Sequence, residues 1–220
     1  EEHTPTVRME TTPFLKTDYI GFFVEPGEDS WLPWQDEAVR NALSLAIDRE
    51  GIARSLRRGT VVPTRDFVPP ALVGRSAPRP SVYDVECARV VIDSVADEHP
   101  RPWPELVLST TSEYTDLCAA LQFQWASIGL EVGIDVVAPA THHERVANGK
   151  AVAFRKSWLA DYPDAENFLS LFRTANHAPS GPNYTHYSDA GFDARLDSAM
   201  AEPDAYNRLA LYDDLNGMVS

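Results

Sequence analysis

The chain has 220 residues, of which 44% are hydrophobic and 24% charged, so it is long enough to bury a hydrophobic core. Its 19 basic and 33 acidic residues give a formal net charge of −14, which repels nucleic-acid phosphates, and we predict no nucleic-acid partner. No apolar run in the sequence reaches the length that a membrane span requires.

The first half of the chain alternates short apolar runs with helical patterns. The run from Tyr19 to Val24 predicts a strand. Apolar residues at helical spacing predict a helix over residues 37–48, with Asp36 as its N-cap. Five prolines between residues 60 and 81 predict a loop, either ordered or draped over the surface, because proline interrupts regular elements. The next helix is expected over residues 85–95.

A strand–helix–strand unit is the clearest pattern of the middle of the chain. Residues 105–110 and 130–136 have apolar side chains at alternate positions, which is typical of strands. The helical stripe between them ends at Gly129, the residue type that suits a left-handed position after a helix. Short connections between the three elements predict a right-handed parallel βαβ unit.

The last third of the chain adds one strand and further helices. Ala151–Trp158 predicts the strand, and Thr141 with Glu144 fits a capping box for a short helix before it. Asp164 is a predicted cap for a helix through Phe172, and Asp189 caps the helix after that. The class is therefore α/β, with one mixed sheet flanked by helices.

The residues that often bind metals or form crosslinks give no site. Cys87 and Cys118 lie in helical patterns, so we predict two buried thiols, while a disulfide stays open. His142 and His143 are adjacent and point in different directions on a helix, which favours solvated histidines over a metal site. We predict neither a metal nor a cofactor.

The segment from Ser157 to Phe168 indicates a class of ligand. Trp158 and Asp161 lie between a strand end and a helix start, where open α/β sheets bind ligands. A carboxylate there attracts ammonium groups, although Asp161 also suits a turn and Trp158 also suits the core. Arg155 fits either a ligand carboxylate or a surface ion pair.

Signatures of catalysis are weak. The sequence has no GxSxG, P-loop, GxGxxG or HExxH pattern. Asp161 and Asp164 could imitate the carboxylate pair of a glycosidase, but Asp164 has a simpler task as a helix cap. We therefore predict that the protein is not an enzyme and has no catalytic residues.

Four segments, in order, resemble a known family. Residues 36–50 look like its helix VRxALxxAIDRxxI, residues 67–70 (FVPP) like the loop that follows, and residues 83–88 like YDxxKA. Residues 158–193 are similar to WxADYPDPxNFL…GxNYxxYSxxxFD. The family comprises extracytoplasmic solute-binding proteins of peptide-type ABC transporters, which include oligopeptide-, dipeptide- and nickel-binding proteins. Ser157 stands where the family commonly has glycine.

The resemblance implies a type II periplasmic-binding-protein-like lobe of the peptide-binding cluster, in a protein whose two lobes close on a ligand. It assigns residues 1–24 to a lead-in and a strand arriving from an N-terminal lobe outside this chain. It assigns residues 25–220 to a C-terminal ligand-binding lobe that lacks its final return segment. A secretion signal would lie upstream.

The resemblance also implies roles for site residues and a function. Asp161 would pair with the amino terminus of a peptide, Trp158 would line a side-chain pocket, and Arg155 would help to hold a ligand carboxylate. Tyr162 and Asn183, in the matching segments, complete the predicted ligand-binding set. The function implied is capture of dipeptides or oligopeptides outside the cytoplasmic membrane for uptake through an ABC permease and its ATPase. Any membrane association would use an anchor outside this chain, such as a lipid.

Two alternatives stay open beside peptide uptake. The same lobe occurs in ligand-sensing domains of transcriptional regulators, which would be distinguished by a DNA-binding segment upstream. Alternatively, the solute is a nickel chelate, haem or an oligosaccharide. The sequence offers no cluster of metal ligands, which favours peptide.

Overall fold

A mixed sheet of four strands organises the part of the chain that this computed structural model describes, residues 14–25 and 31–220. The strands are β1 (Lys16–Phe22), β2 (Leu106–Thr110), β3 (Val132–Val136) and β4 (Ala153–Leu159). Their order across the sheet is β1-β4-β2-β3. β2 is parallel to β3 and β4, whereas β1 pairs antiparallel with β4. The predicted mixed sheet and the parallel unit formed by β2 and β3 are confirmed.

Helices of very different lengths flank this sheet. They are α1 (Glu37–Leu45), α2 (Arg49–Gly51), α3 (Val85–Glu98), α4 (Thr115–Ala126), α5 (Pro139–Ala147), α6 (Glu166–Leu169), α7 (Ala190–Ala201) and α8 (Ala205–Met218). None of these described helices is both long and apolar enough to cross a bilayer.

The sequence predicts several element ends correctly. The Asp36 carboxylate accepts a hydrogen bond from the amide of Ala38 at 2.8 Å, and Asp189 caps α7 through Phe192 N at 2.9 Å. Gly129 follows α4 with a φ of 77°, the left-handed conformation for which glycine has no Cβ penalty.

Other boundaries differ from the prediction. β1 begins and ends earlier than expected, and α1 ends at Leu45 rather than near residue 48. The predicted capping box of Thr141 and Glu144 is wrong, because α5 already begins at Pro139, whose fixed φ suits a first helical turn. The helix expected from Asp164 to Phe172 is a short α6 followed by a 3₁₀ turn.

The cysteines are both free thiols, but only one is buried as predicted. Cys118 is a residue of α4 that belongs to the core and has no exposed surface. The prediction of burial is wrong for Cys87, which lies on the solvent side of α3. Helical periodicity places Cys87 one position from Ala88, a residue that faces the core, so the two side chains point in different directions.

One face of the sheet is covered by α1, α3 and α4. Leu43, Ile92, Leu108 and Trp125 are almost completely buried in this layer. The Trp125 indole nitrogen donates to the carbonyl of Leu43 at 2.9 Å, so its polar atom is satisfied inside the core. α5 covers the opposite face, where Val146 packs against Phe154 of β4.

A second apolar cluster joins the proline-rich loop to the C-terminal helices. Phe67 and Val68 pack there with residues of α6, α7 and α8. The carbonyl oxygen of the Asn216 side chain accepts from the amides of Phe67 and Val68 at 3.1 and 3.0 Å. Its amide nitrogen donates to the buried carboxylate of Asp66, which also accepts from Arg79 at 2.7 Å. The predicted loop is confirmed, and of the two alternatives it is the ordered one.

Replacing Asp66 by alanine should destabilise the fold by about 3 kcal/mol, since it leaves the charge of Arg79 and the amide of Asn216 without their buried partner. Urea unfolding measures the change. Asp213, which binds the same arginine at 3.0 Å from a more exposed position, is the matched control. Asp213→Ala should cost less than about 1 kcal/mol. Equal losses in the two variants would contradict the role given to Asp66.

Candidate ligand-binding site

The candidate site lies at the edge of the sheet where the parallel strands β2, β3 and β4 end. β4 extends beyond the last residue of β2 that pairs with it, Ser109 opposite Phe154. Its remaining residues pair with β1, including Trp158 opposite Thr17. The chain then turns through Ala160–Asp164 into α6. Carboxyl ends of parallel strands are where open α/β sheets bind ligands.

Asn167 fixes the geometry of this turn. It is buried at the start of α6, and its side-chain oxygen accepts from the indole nitrogen of Trp158 at 2.9 Å. The same oxygen accepts from the backbone amide of Asp161 at 3.3 Å. One buried amide therefore sets both the plane of the tryptophan ring and the position of the aspartate.

Asp161 and Tyr162 are the exposed members of the site. Within the described part of the chain, the Asp161 carboxylate makes no hydrogen bond or ion pair. Tyr162 is 47% exposed, and its hydroxyl donates to the carboxylate of Glu166. That hydrogen bond, together with partial burial, raises the pKa of Tyr162. Asp161 is thus free to accept hydrogen bonds from an external cation, whereas the hydroxyl of Tyr162 is already used.

Asp164 has the structural role that the sequence suggests. Its carboxylate accepts from the amide of Glu166 at 2.9 Å, at the first residue of α6. This bond satisfies one of the free amides at a helix start.

Arg155 lies on the opposite face of β4 from Trp158, because the two residues are three positions apart and successive side chains of a strand alternate between faces. It is only 7% exposed. Its guanidinium contacts the carboxylate of Asp18 on β1 at 2.6 Å, and its Cζ lies 3.0 Å from the ring centroid of Tyr114. The structure therefore does not bring Arg155 together with Trp158 and Asp161.

The partner of Arg155 is held ionised by its surroundings. Burial opposes the charge of Asp18, but the hydroxyl of Ser157, 2.6 Å away, and the charges of Arg155 and Lys16 outweigh it. The pKa of Asp18 therefore lies below its ordinary value. Ser157, which stands where the family commonly has glycine, thus donates a hydrogen bond to the carboxylate of this ion pair.

His142 supports β4 from the α5 side of the sheet. The prediction of a solvated side chain is wrong for this residue, which is 8% exposed, while His143 is exposed as predicted. Its Nε2 lies 2.9 Å from the carbonyl of Arg155, an acceptor only, so Nε2 carries the proton. Nδ1, 3.0 Å from Ser109, then accepts from that hydroxyl. Burial lowers the pKa of His142.

Asn183 lies inside the loop that precedes α7 and has no exposed surface. Its side-chain nitrogen donates to the carbonyls of Arg173 and Tyr187 at 3.1 and 2.9 Å. Its side-chain oxygen accepts from Thr185 at 3.1 Å. All polar atoms of its side chain are thus bonded within the loop, which gives Asn183 the geometry of a positioning residue.

Trp158, Asp161 and Tyr162 are thus the predicted residues that the structure brings together. Asn167 was missed as a site residue, although it belongs to the NFL motif that carries the family resemblance. Asp18 was missed because it pairs with β4 only in the folded sheet. Chemically, an exposed carboxylate beside an aromatic ring suits an ammonium group, which both can attract.

The fold is that of one lobe of a type II periplasmic binding protein. The oligopeptide-binding protein OppAIV of Borrelia burgdorferi superposes with a TM-score of 0.82 at 23% identity, covering 94% of this chain and 40% of that chain. The model of the family described as bacterial extracellular solute-binding proteins, family 5 Middle, matches residues 1–180. The chain belongs to this family.

Curated relatives carry names for different ligands. The chain is 28% identical over 208 residues to the probable deoxycholate-binding periplasmic protein YgiS of Escherichia coli (strain K12), with 91% of this chain and 37% of the relative covered. It is 26% identical over 227 residues to the oligopeptide-binding protein OppA of Bacillus subtilis (strain 168), with 95% and 41% covered. The chain thus spans about two-fifths of the length of these relatives.

Replacing Asn167 by alanine should destabilise the protein by about 1 to 3 kcal/mol, because the amide of Asp161 and the indole of Trp158 lose their acceptor. Combining it with Trp158→Phe should cost less than the sum of the two single changes, by about 1 kcal/mol, since both remove the same bond. Urea unfolding of the three variants gives this coupling. The control is Asn148→Ala, at an exposed residue. Its effect on the unfolding free energy should add fully to that of Trp158→Phe.

Acidification should weaken the contribution of His142. Because burial lowers its folded-state pKa, only the unfolded chain takes up a proton at this residue as the pH falls below about 6.5, the ordinary histidine value. Its contribution is complete above that value. The difference in unfolding free energy between the wild type and His142→Gln should therefore shrink from about pH 7.5 to about pH 5.5. A difference that grows on acidification would contradict the neutral, buried state.

Proposed function

We propose that this chain is the C-terminal ligand-binding lobe of the substrate-binding component of an ABC transporter, which captures peptides outside the cytoplasmic membrane for uptake. The observation that carries the proposal is the exposed carboxylate of Asp161 beside Trp158, in a member of this solute-binding family. Asn167 holds the backbone of Asp161 and the indole of Trp158. Relatives named for oligopeptide and dipeptide binding support the choice of ligand.

In this proposal Asp161 accepts hydrogen bonds from the free amino terminus of the peptide. A charged bond of this kind contributes about 1.5 to 3 kcal/mol where it is shielded from water. Trp158 and Tyr162 form an apolar wall for the first side chains, and ordered water fills the space that smaller side chains leave. Binding needs no covalent step.

The other two predicted ligand residues have indirect roles in the proposal. Arg155 is neutralised by Asp18 and lies across the sheet, so it stabilises the end of β4 and a ligand carboxylate finds its partner elsewhere. Asn183 orders the loop that carries Tyr184, whose ring contacts Lys156 at 4.1 Å.

A second lobe supplies the opposite wall of the site in this proposal. Residues 1–24 are then the lead-in and the strand arriving from that lobe, and residues 25–220 form the C-terminal lobe without its return segment. Part of the lead-in, residues 1–13, lies outside the described residues. Closure of the lobes would bury the ligand ammonium and strengthen its bond with Asp161.

The partner and location follow from the same assignment. The loaded protein would present its ligand to an ABC permease with its ATPase, at the outer side of the cytoplasmic membrane, held there by a lipid anchor outside this chain. We propose a binding role without catalysis, since the carboxylate of Asp164 is engaged at the start of α6 and leaves Asp161 as a single free carboxylate in the turn.

The test is calorimetric titration of the protein, as its gene encodes it, with a randomised tripeptide mixture and its N-acetylated counterpart. Asp161→Asn should weaken binding of the free tripeptides about tenfold or more, because the amide cannot pair with an ammonium. Acetylated peptides should bind the wild type weakly and be indifferent to the change. Asp93→Asn, which removes an exposed carboxylate from α3, is the matched control.

Titration with deoxycholate distinguishes peptide binding from the alternative that the protein binds a bile salt, the ligand named for one relative. Deoxycholate carries a carboxylate and no ammonium, so Asp161 would repel it, and Asp161→Asn should then improve its binding. A protein that binds deoxycholate and not the tripeptides, or free and acetylated tripeptides equally well, would overturn the proposal.

A further inference from the structure

The charges of this acidic chain are distributed unevenly. Residues 49–79 contain seven arginines and two carboxylates, a formal charge of +5. The remaining residues contain 12 basic and 31 acidic side chains, a formal charge of −19. A cationic segment in so acidic a protein creates a surface of its own, because charges beyond about 8 Å are largely screened at physiological salt.

Part of this positive charge faces solvent without a counter-ion. Arg57 pairs with Asp116, and Arg79 pairs with Asp66. In contrast, Arg54, Arg58 and Arg65 are exposed and have no ion pair within the described part of the chain.

One of these arginines, Arg65, also lies close to a further cation, Arg49. Burial lowers the pKa of Arg49, and the neighbouring charge of Arg65 lowers it further. Neighbouring cations repel each other and do not stabilise the folded chain. A bound anion would offset this repulsion.

Two exposed valines lie between the free arginines. Val61 is 39% and Val62 71% exposed, and they follow Arg58 and precede Arg65 in the chain. We call Arg54, Arg58, Val61, Val62 and Arg65 the basic patch. Nearby is a depression of about 450 Å³, with both carboxylate and guanidinium side chains in its wall. Its lining residues are Glu50, Ala53, Arg54, Arg58, Gly59, Val61 and Pro63.

The backbone of the basic patch is left-handed at two successive residues. Arg58 has a φ of 51°, the left-handed conformation that disfavours residues with a Cβ. Gly59 follows it with a φ of 72°. Glycine or asparagine would form this turn at a lower cost, so the turn does not need an arginine.

We propose that the basic patch binds the surface of an anionic phospholipid membrane. The valines enter the interface between headgroups and acyl chains, while the arginines contact lipid phosphates. We prefer a lipid surface to an acidic protein because Val62, which is 71% exposed, is apolar and stands between cations in the chain.

The segment that carries the basic patch also contacts the residues before α4. The guanidinium carbon of Arg57, the residue before Arg58, lies 5.8 Å from the ring centroid of Tyr114.

Vesicle sedimentation tests the proposal. The wild type at low salt should partition onto vesicles of equal parts phosphatidylglycerol and phosphatidylcholine, and not onto pure phosphatidylcholine. The double variant Arg54→Glu, Arg58→Glu should lose at least about tenfold in partitioning. The matched control, Lys150→Glu with Arg195→Glu, changes net charge equally at exposed positions elsewhere and should lose less than about twofold. Urea unfolding checks that both variants are folded.

A polarity-sensitive dye reports insertion at the patch. Labelled Val62→Cys on a Cys87→Ser background should shift to the blue on the anionic vesicles, whereas a dye at Tyr206→Cys, exposed on α8, should not. Failure of the wild type to bind the anionic vesicles, equal losses in the two double variants, or no shift at residue 62 would overturn the proposal. So would binding to polyglutamate with none to vesicles, which would indicate an acidic protein partner.

Discussion

The antiparallel pairing of β1 with β4 is the constraint on which the candidate site depends. β4 outruns its parallel neighbour, and without β1 its last residues would form an unpaired sheet edge. The same pairing places Asp18 beside Arg155, residues 137 positions apart in the chain, and so neutralises a buried cation. A solitary charge at that depth would be costly. The site turn therefore starts from a strand whose backbone and charge are both satisfied.

Much of the fold could be predicted because it depends on neighbours in the sequence. The alternation of β3, the stripe of α4 and the glycine between them are properties of a short window. The caps Asp36 and Asp189 bond amides two and three residues away. Where a stronger local signal was overlooked, the prediction failed: Pro139 begins α5, so Thr141 lies inside the helix and does not cap it.

The parts that the sequence did not reveal are contacts between distant segments. Periodicity says which face of α5 is apolar, but not that His142 meets two polar atoms of the sheet there. The role of Asn167 needs the turn between β4 and α6 to bring the helix start back to Trp158. The side of the sheet on which Arg155 lies follows from strand alternation, yet its neutralisation by Asp18 requires the register of β1. The segment that forms the site was thus predicted, whereas the separate roles of its residues were not.

In the candidate site, the residue that holds the turn is different from the residues that face solvent. Asn167 holds the turn through a backbone amide and an indole nitrogen, whereas the carboxylate of Asp161 and the ring of Tyr162 face solvent. Exposed side chains outside the buried bonds are replaceable at little cost in folding free energy. The exposed groups of the candidate site can therefore be exchanged while the turn keeps its shape. The same lobe architecture occurs in relatives named for solutes as unlike as oligopeptides and deoxycholate.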